Sequence, residues 1–178
     1  MVPPHAPETA AGLLPRTAAF ALDSSLLFLG ILLAHGSWYL IGGGFEKPGP
    51  SGPQLALYLL ATVSFPVWLY FLLMESSRRK ATLGKRLLHL EVADAYGSRI
   101  SVARSALRTL VKLIPWELTH LTLCLPTPIF YEGSDDRLRP GFWFVYGLIG
   151  LYLAAAMMTR RKQSVHDLAA GTYVVRSA

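Results

Sequence analysis

Charge is scarce in this chain, and cysteine nearly absent. Only 16% of its 178 residues are charged, against about 25% in soluble domains. One cysteine, Cys124, is present, which excludes an intrachain disulfide and a cysteine-based zinc cluster. The N-terminal stretch MVPPHAPETAAGLLP lacks the positive head of a cleaved signal peptide, and the apolar run after it carries Asp23, so none is expected. There is no lipidation pattern and no internal repeat. The Gly84-Lys85 pair lacks the upstream glycine and the following Ser/Thr of a P-loop. The net charge of +6 would suggest nucleic acid in a soluble chain. Here the basic residues sit in blocks beside apolar runs and leave no basic face over, so no nucleic-acid partner is expected.

What is present is apolar. Hydrophobic residues make up 52% of the chain, and they gather in long runs. The first, residues 15–41, is long enough to cross a bilayer, which needs about 20 helical residues. Arg16 stands at its head and Asp23 is the one acid inside it. At roughly 100° per residue both fall on one helix face, about 10 Å apart along the axis. A carboxylate at that depth costs roughly 2.5–3.5 kcal/mol on insertion scales, so it needs a partner or a wet cavity. The second run, residues 54–75, is uncharged until Glu75; Pro66 should kink it, with Ser64 near the freed backbone group. The last run, residues 141–158, carries Trp143 and Tyr146 at one end, as an interface belt would.

The third run, residues 109–130, contains Lys112, Glu117 and His120, and hydropathy alone does not settle it. Parity does. Eight basic and two acidic residues lie between Arg78 and Arg108, and Arg160-Arg161-Lys162 follows the last run. Both blocks mark the cytoplasmic side, so an even number of crossings separates them. Leu88, Leu90 and Val92 alternate with polar residues, a turn signal follows at Asp94 to Ser98, and Ile100 and Val102 resume the alternation. This predicts a small β-hairpin, residues 86–103, with TYVV at 172–175 adding a strand. Ser164 and Asp167 begin a short interfacial helix that Gly171 stops. Residues 1–14, rich in Pro and Ala, are expected to be a disordered tail.

The reading is therefore an all-α polytopic membrane protein: four crossings, a small cytoplasmic β element, and both termini cytoplasmic. Turn counting places Arg16 near Asp167, and Asp23 pointing toward the third run at the depth of Glu117. Three constellations carry candidate chemistry. Arg16 and Asp23 form an ion or proton site, or a structural pair that holds helices together. Glu117 and His120 have the Glu-x-x-His spacing of metal ligands, with His35 as a third candidate; the alternative is a buried polar patch. His166, beside Asp167, is a candidate gate, since histidine titrates near neutrality; the alternative is helix capping plus a salt bridge from Asp167 to Arg78, Arg79 or Arg86.

Three segments together resemble the RDD family: the head PRTAAFALD, the middle ATLGKRLLHLEVADAYGSRIS with the later LRTL, and the tail RRKQSVHDLAAGTYVV. The family is named for one arginine and two aspartates, which match Arg16, Asp23 and Asp167. Its TxGKR pattern matches Thr82, Gly84, Lys85 and Arg86, and continues through Val92, Asp94 and Gly97. The resemblance implies a bacterial-type inner-membrane protein for which transport of ions or small ligands is suggested; some relatives look like sodium/proton antiporters. The Glu117/His120 segment lies outside the defining triad. The expected function is thus transport of an ion or small ligand through a polar intramembrane site formed by Arg16, Asp23, Asp167, Glu117 and His120. A non-transporting scaffold or assembly factor is the first alternative, and a metal-dependent membrane enzyme on Glu117 and His120 the second. Expected partners are the bilayer, including anionic lipids drawn to the basic block, and further copies of the chain or a larger membrane protein. No cofactor is firmly implied beyond the candidate metal ion.

Overall fold

A computed structural model of the chain describes residues 10–42, 51–130 and 139–177. Most of the expected tail, the Gly/Pro loop after the first run and the acidic loop near 132–137 lie outside the described residues.

Helix α1, Leu13–Gly42, spans 30 residues and buries only Ala19 and Asp23. They stand four apart and head a narrow stripe that Leu27 and Ile31 continue against the core, while much of the remaining apolar surface of α1 is exposed. The second run is one rod in three parts: α2, Gly52–Leu59, a π-helical turn, Leu60–Ser64, and α3, Phe65–Glu75. Pro66 supplies no N–H and its ring crowds the carbonyl four residues back, so the backbone widens and Phe65 N–H bonds Leu60 O, five residues back. Neighbouring groups or Ser64 were expected to re-satisfy the freed backbone group. The Ser64 hydroxyl instead donates to Glu117 on another helix.

Helix α4, Leu83–Leu87, is capped by the Thr82 hydroxyl, which accepts from Lys85 N–H, and leads into strand β1, Leu90–Ala93. Helix α5, Val102–Cys124, is capped by Ser101, whose Oγ accepts from Arg104 N–H at 3.2 Å. Helix α6 is Pro140–Met158, α7 is Val165–Ala170, and strand β2 is Tyr173–Arg176. Gly171 ends α7 in the left-handed conformation, at φ +60°, where a side chain would be strained.

The β-hairpin expectation is corrected. β1 pairs antiparallel with β2, Leu90 opposite Arg176 and Val92 opposite Val174. Residues 100–102 pair with neither strand. The Asp94 carboxylate accepts the N–H groups of Tyr96 and Ser98, each at 2.9 Å, and Ser101 then caps α5 at once. That local turn uses up the chain before a second strand can form. The alternation at Ile100 was a burial signal only: Ile100 packs in a core with Ala11, Ala19, Leu90, Val92 and Val174. The tail expectation changes too. Ala10 bridges to Val175 and Ala11 N–H bonds Val174 O at 2.9 Å, so the described part of 1–14 edges the sheet and starts α1.

Among the described residues three helical stretches are long and apolar enough to cross a membrane: Leu13–Gly42, Gly52–Glu75 and Pro140–Met158. α5 is not among them, because its polar residues dilute its hydropathy. They face inward. Leu107, Leu110, Ile114 and Leu121 face outward instead, a lipid-compatible stripe. α5 also runs antiparallel beside the 52–75 rod from end to end. Arg108 meets Glu75, Leu113 packs with Phe71, Glu117 meets Trp68, and the Cys124 carbonyl lies where a Cβ on Gly52 would come within 2.4 Å.

Candidate functional site

Asp23 is fully buried, and its position follows from a close approach of two backbones. α4 lies against α1 so tightly that a Cβ on Gly84 would stand 2.2 Å from Ala19 O. One turn on from Ala19, Asp23 Oδ1 accepts from Gly84 N–H at 2.7 Å and from the Tyr70 hydroxyl at 2.6 Å, while Oδ2 accepts from the Thr82 hydroxyl at 2.6 Å. Three neutral donors thus replace the water that the carboxylate loses. The expectation that Asp23 points at the third run is corrected: it points at α3 and the α4 N-terminus. It shares no ligand with Glu117, so the two acids form separate sites. Turn counting along single helices could not reveal that the segment before β1 folds back onto α1.

Below Asp23 lies an ionic network. Asp167 is fully buried and accepts from both Arg16 and Arg108, and Arg16 also donates to Lys162 O. The expected nearness of Arg16 to Asp167 is thus a direct ion pair. Arg108, 1% exposed, bridges onward: its Nε donates to Glu75 Oε2 at 2.8 Å. Lys85 and Lys112 each reach Glu75 Oε1 at 2.8 Å. The start of α1, the end of α3, α4, α5 and α7 are joined in this way. Asp167 takes Arg16 and Arg108 as its partners, in place of Arg78, Arg79 or Arg86; Arg86 donates to Ala81 O.

The capping role of Asp167 is present as well, since its Oδ2 accepts from Ser164 N–H at 3.0 Å. Burial alone would raise the Asp167 carboxyl, but Arg108, Arg16 and this N–H outweigh it and hold it well below the usual carboxylate range. His166 goes the other way from an ordinary histidine. Burial first, then Arg108, Lys112 and Arg16, hold it well below its usual value, with Asp167 only partly opposing them. The His166 ring packs near Tyr152, the centroids 6.0 Å apart.

The third cluster lies deeper in the bundle. Glu117 Oε1 accepts from Trp68 Nε1–H at 3.0 Å and Oε2 from the Ser64 hydroxyl at 3.0 Å. His120 Nδ1 lies 3.3 Å from the same hydroxyl, and its ring meets Trp116 edge-on at 4.8 Å. The π-helical turn presents Ser64 here. His35 is elsewhere: its Nε2 lies 3.2 Å from the Thr62 hydroxyl and its ring packs on Tyr58. Among the described residues no three His, Cys, Asp or Glu side chains gather as metal ligands, so Glu117 and His120 are a pair without the third ligand assigned from sequence.

Sequence reasoning missed Glu75, Arg108, Lys85, Lys112, Tyr70 and Thr82 as members of these clusters. Two signals were present. Glu75 is the one acid ending an otherwise uncharged run, and Arg108 sits in LRTL, a segment already conspicuous in the sequence.

Compared with known proteins, residues 10–171 match the family described as the RDD family. No curated protein and no solved structure matches the chain.

Proposed function

This chain belongs to the RDD family of membrane proteins, and we propose that it moves an ion or small ligand across the bilayer, with Glu117 and His120 as the exchange site. One observation carries this reading. Glu117 is an ionisable group deep in the bundle whose partners, Trp68 and Ser64, are neutral. Ionisable residues at such depth are rare and mark ion and proton pathways. By contrast, Asp23, Arg16 and Asp167 are locked to internal partners, so they act as the frame that holds the helix ends in register.

The reading takes α5 as a fourth crossing. Its end-to-end apposition with residues 52–75 and its outward leucine stripe support that. The basic blocks at 78–108 and 160–162 support a topology with both termini on the cytoplasmic side, by the positive-inside rule. Cysteines placed at Ser98 and Ser177 should then label from the cytoplasm, and cysteines at Ser51 and Ser134 from outside. Labelling of position 134 from the cytoplasm would remove the fourth crossing.

Glu117→Gln tests the transport step. The amide oxygen still accepts from Trp68 or Ser64, so stability should fall by no more than about 1–2 kcal/mol. Proton- or sodium-driven flux in proteoliposomes should drop to the level of empty vesicles. Wild-type flux in a folded Glu117→Gln protein defeats the transport reading. It leaves the scaffold reading, which the closed Arg16–Asp167–Arg108–Glu75 network favours.

A further inference from the structure

Four cations and two carboxylates meet at the inner end of a cavity of about 380 Å³, within the roughly 300–1,000 Å³ range of small-ligand sites. It lies between α1, α5, α6 and α7. Arg16, Lys85, Arg108 and Lys112 line its polar end, and Phe20, Leu113, Ile149 and Leu153 its apolar wall. Phe20, Ile149 and Leu153 are exposed, which leaves the cavity open on the side between α1 and α6, where lipid chains would lie.

The polar end is short of negative charge. Among the described residues its four cations pair only with Asp167 and Glu75. Glu75 Oε1 alone holds both ammonium groups, each at 2.8 Å, because Oε2 is taken by Arg108. Like charges crowded away from water repel, and an added anion relieves them. Lys112 already leans on the Phe71 ring, its Nζ 3.6 Å from the centroid, a weaker counter-charge than an anion. Two further lining residues carry buried nitrogens without a hydrogen-bond partner among the described residues: Trp116 Nε1 and His166 Nδ1. The Trp116 nitrogen can only donate, so what it lacks is an acceptor.

We propose that this cavity binds an anionic amphiphile. Its phosphate or carboxylate sits among Arg16, Arg108 and Lys112, and its hydrocarbon chain runs along Phe20, Ile149 and Leu153 and out between α1 and α6. The site stands whether or not Glu117 carries flux. A headgroup of this chemistry can come from a bilayer phospholipid or from a free fatty acid.

The test uses the full chain in phosphatidylcholine vesicles and reads tryptophan emission. The quenchers are phosphatidylglycerol, phosphatidylcholine and palmitate, each with a brominated chain, and Trp116→Phe isolates the signal of Trp116. An anionic probe should quench Trp116 saturably, and phosphatidylcholine should not. Saturation by phosphatidylglycerol identifies a membrane lipid as the source; saturation by palmitate alone identifies a free amphiphile. Lys112→Gln should weaken the apparent affinity about fivefold, the effect of losing one cation near an anionic headgroup. Because that variant also disturbs Glu75, Thr17→Phe provides a second one. Thr17 is an exposed lining residue of α1 outside the ionic network, and the ring should fill the cavity and reduce quenching to the phosphatidylcholine level. Equal quenching by anionic and zwitterionic probes overturns the proposal. So does anionic quenching that neither variant changes.

Discussion

Arg108→Gln should yield little or no folded protein. Any that is recovered should be less stable than wild type by about 3–5 kcal/mol, the usual cost of breaking a buried ion pair from one side. Among the described residues Arg108 is the one that contacts both Glu75, through Nε, and Asp167, through Nη1, each of them fully buried. The amide of glutamine keeps some hydrogen bonding and removes the charge. Asp167 would then keep Arg16 as its guanidinium partner and its neutral donors Ser164 N–H and Thr172, and the two halves of the network would separate. Against a total stability of about 5–15 kcal/mol, a loss of that size is decisive. Arg108→Lys should fall between, because a single ammonium keeps the charge but lacks the fork that reaches two carboxylates. Membrane yield and the thermal midpoint in mild detergent measure the series. A midpoint for Arg108→Gln equal to wild type would mean that the bridge contributes nothing.

Gly84→Ala, one methyl group, should cost about 2–3 kcal/mol or more. The added carbon would stand 2.2 Å from Ala19 O and 3.0 Å from Asp23 Cγ. The first obstacle is the backbone of a helix and cannot rotate away, so α4 must lift off α1. Lifting it stretches the 2.7 Å bond from Gly84 N–H to Asp23 and draws Thr82 away with it. The cost is overpacking plus an under-satisfied buried carboxylate. Gly147→Ala is the control. Nothing lies within 4 Å of a Cβ at that position, and alanine suits a helix interior better than glycine. Equal midpoints for the two variants would show that the close approach of α4 is relaxed in the membrane.

These two residues also mark how far the sequence could be read. Gly84 stood in TLGKR as part of a pattern, but its reason is a contact with Ala19, 65 positions earlier. No local rule gives that distance. Asp23 was legible as a buried acid in need of partners because an uncharged run surrounds it. Two of its three donors were not, because Thr82 and Gly84 sit on a segment whose basic residues marked only the cytoplasmic side. The strand alternation at Leu90 and Val92 was legible, and so was the strand propensity of TYVV. Their mutual pairing was obscured by a nearer candidate, Ile100, which the Asp94 turn withdraws. α5 was expected as a crossing from the charged blocks rather than from hydropathy, and the structure shows it as the helix Val102–Cys124. Its inward face holds the polar residues that a hydropathy average penalises, and periodicity separates the two faces only once the neighbour, residues 52–75, is known.

The long span in sequence between Arg16 and Asp167 sets an order of events during synthesis. The two partners are 151 positions apart, and the donors to Asp23 follow it by 47 to 61 positions. At elongation speeds of about 5–20 residues per second, Arg16 waits on the order of ten seconds or more for its carboxylate, and Asp23 a few seconds for its donors. Throughout that interval the first helix carries an unneutralised guanidinium and, at the outset, an unsatisfied acid. It must be held at the headgroup level or beside the insertion machinery until the last stretch of chain emerges. The Asp23 end of α1 is therefore secured early, by residues 70–84, and its Arg16 end only once α7 has been made.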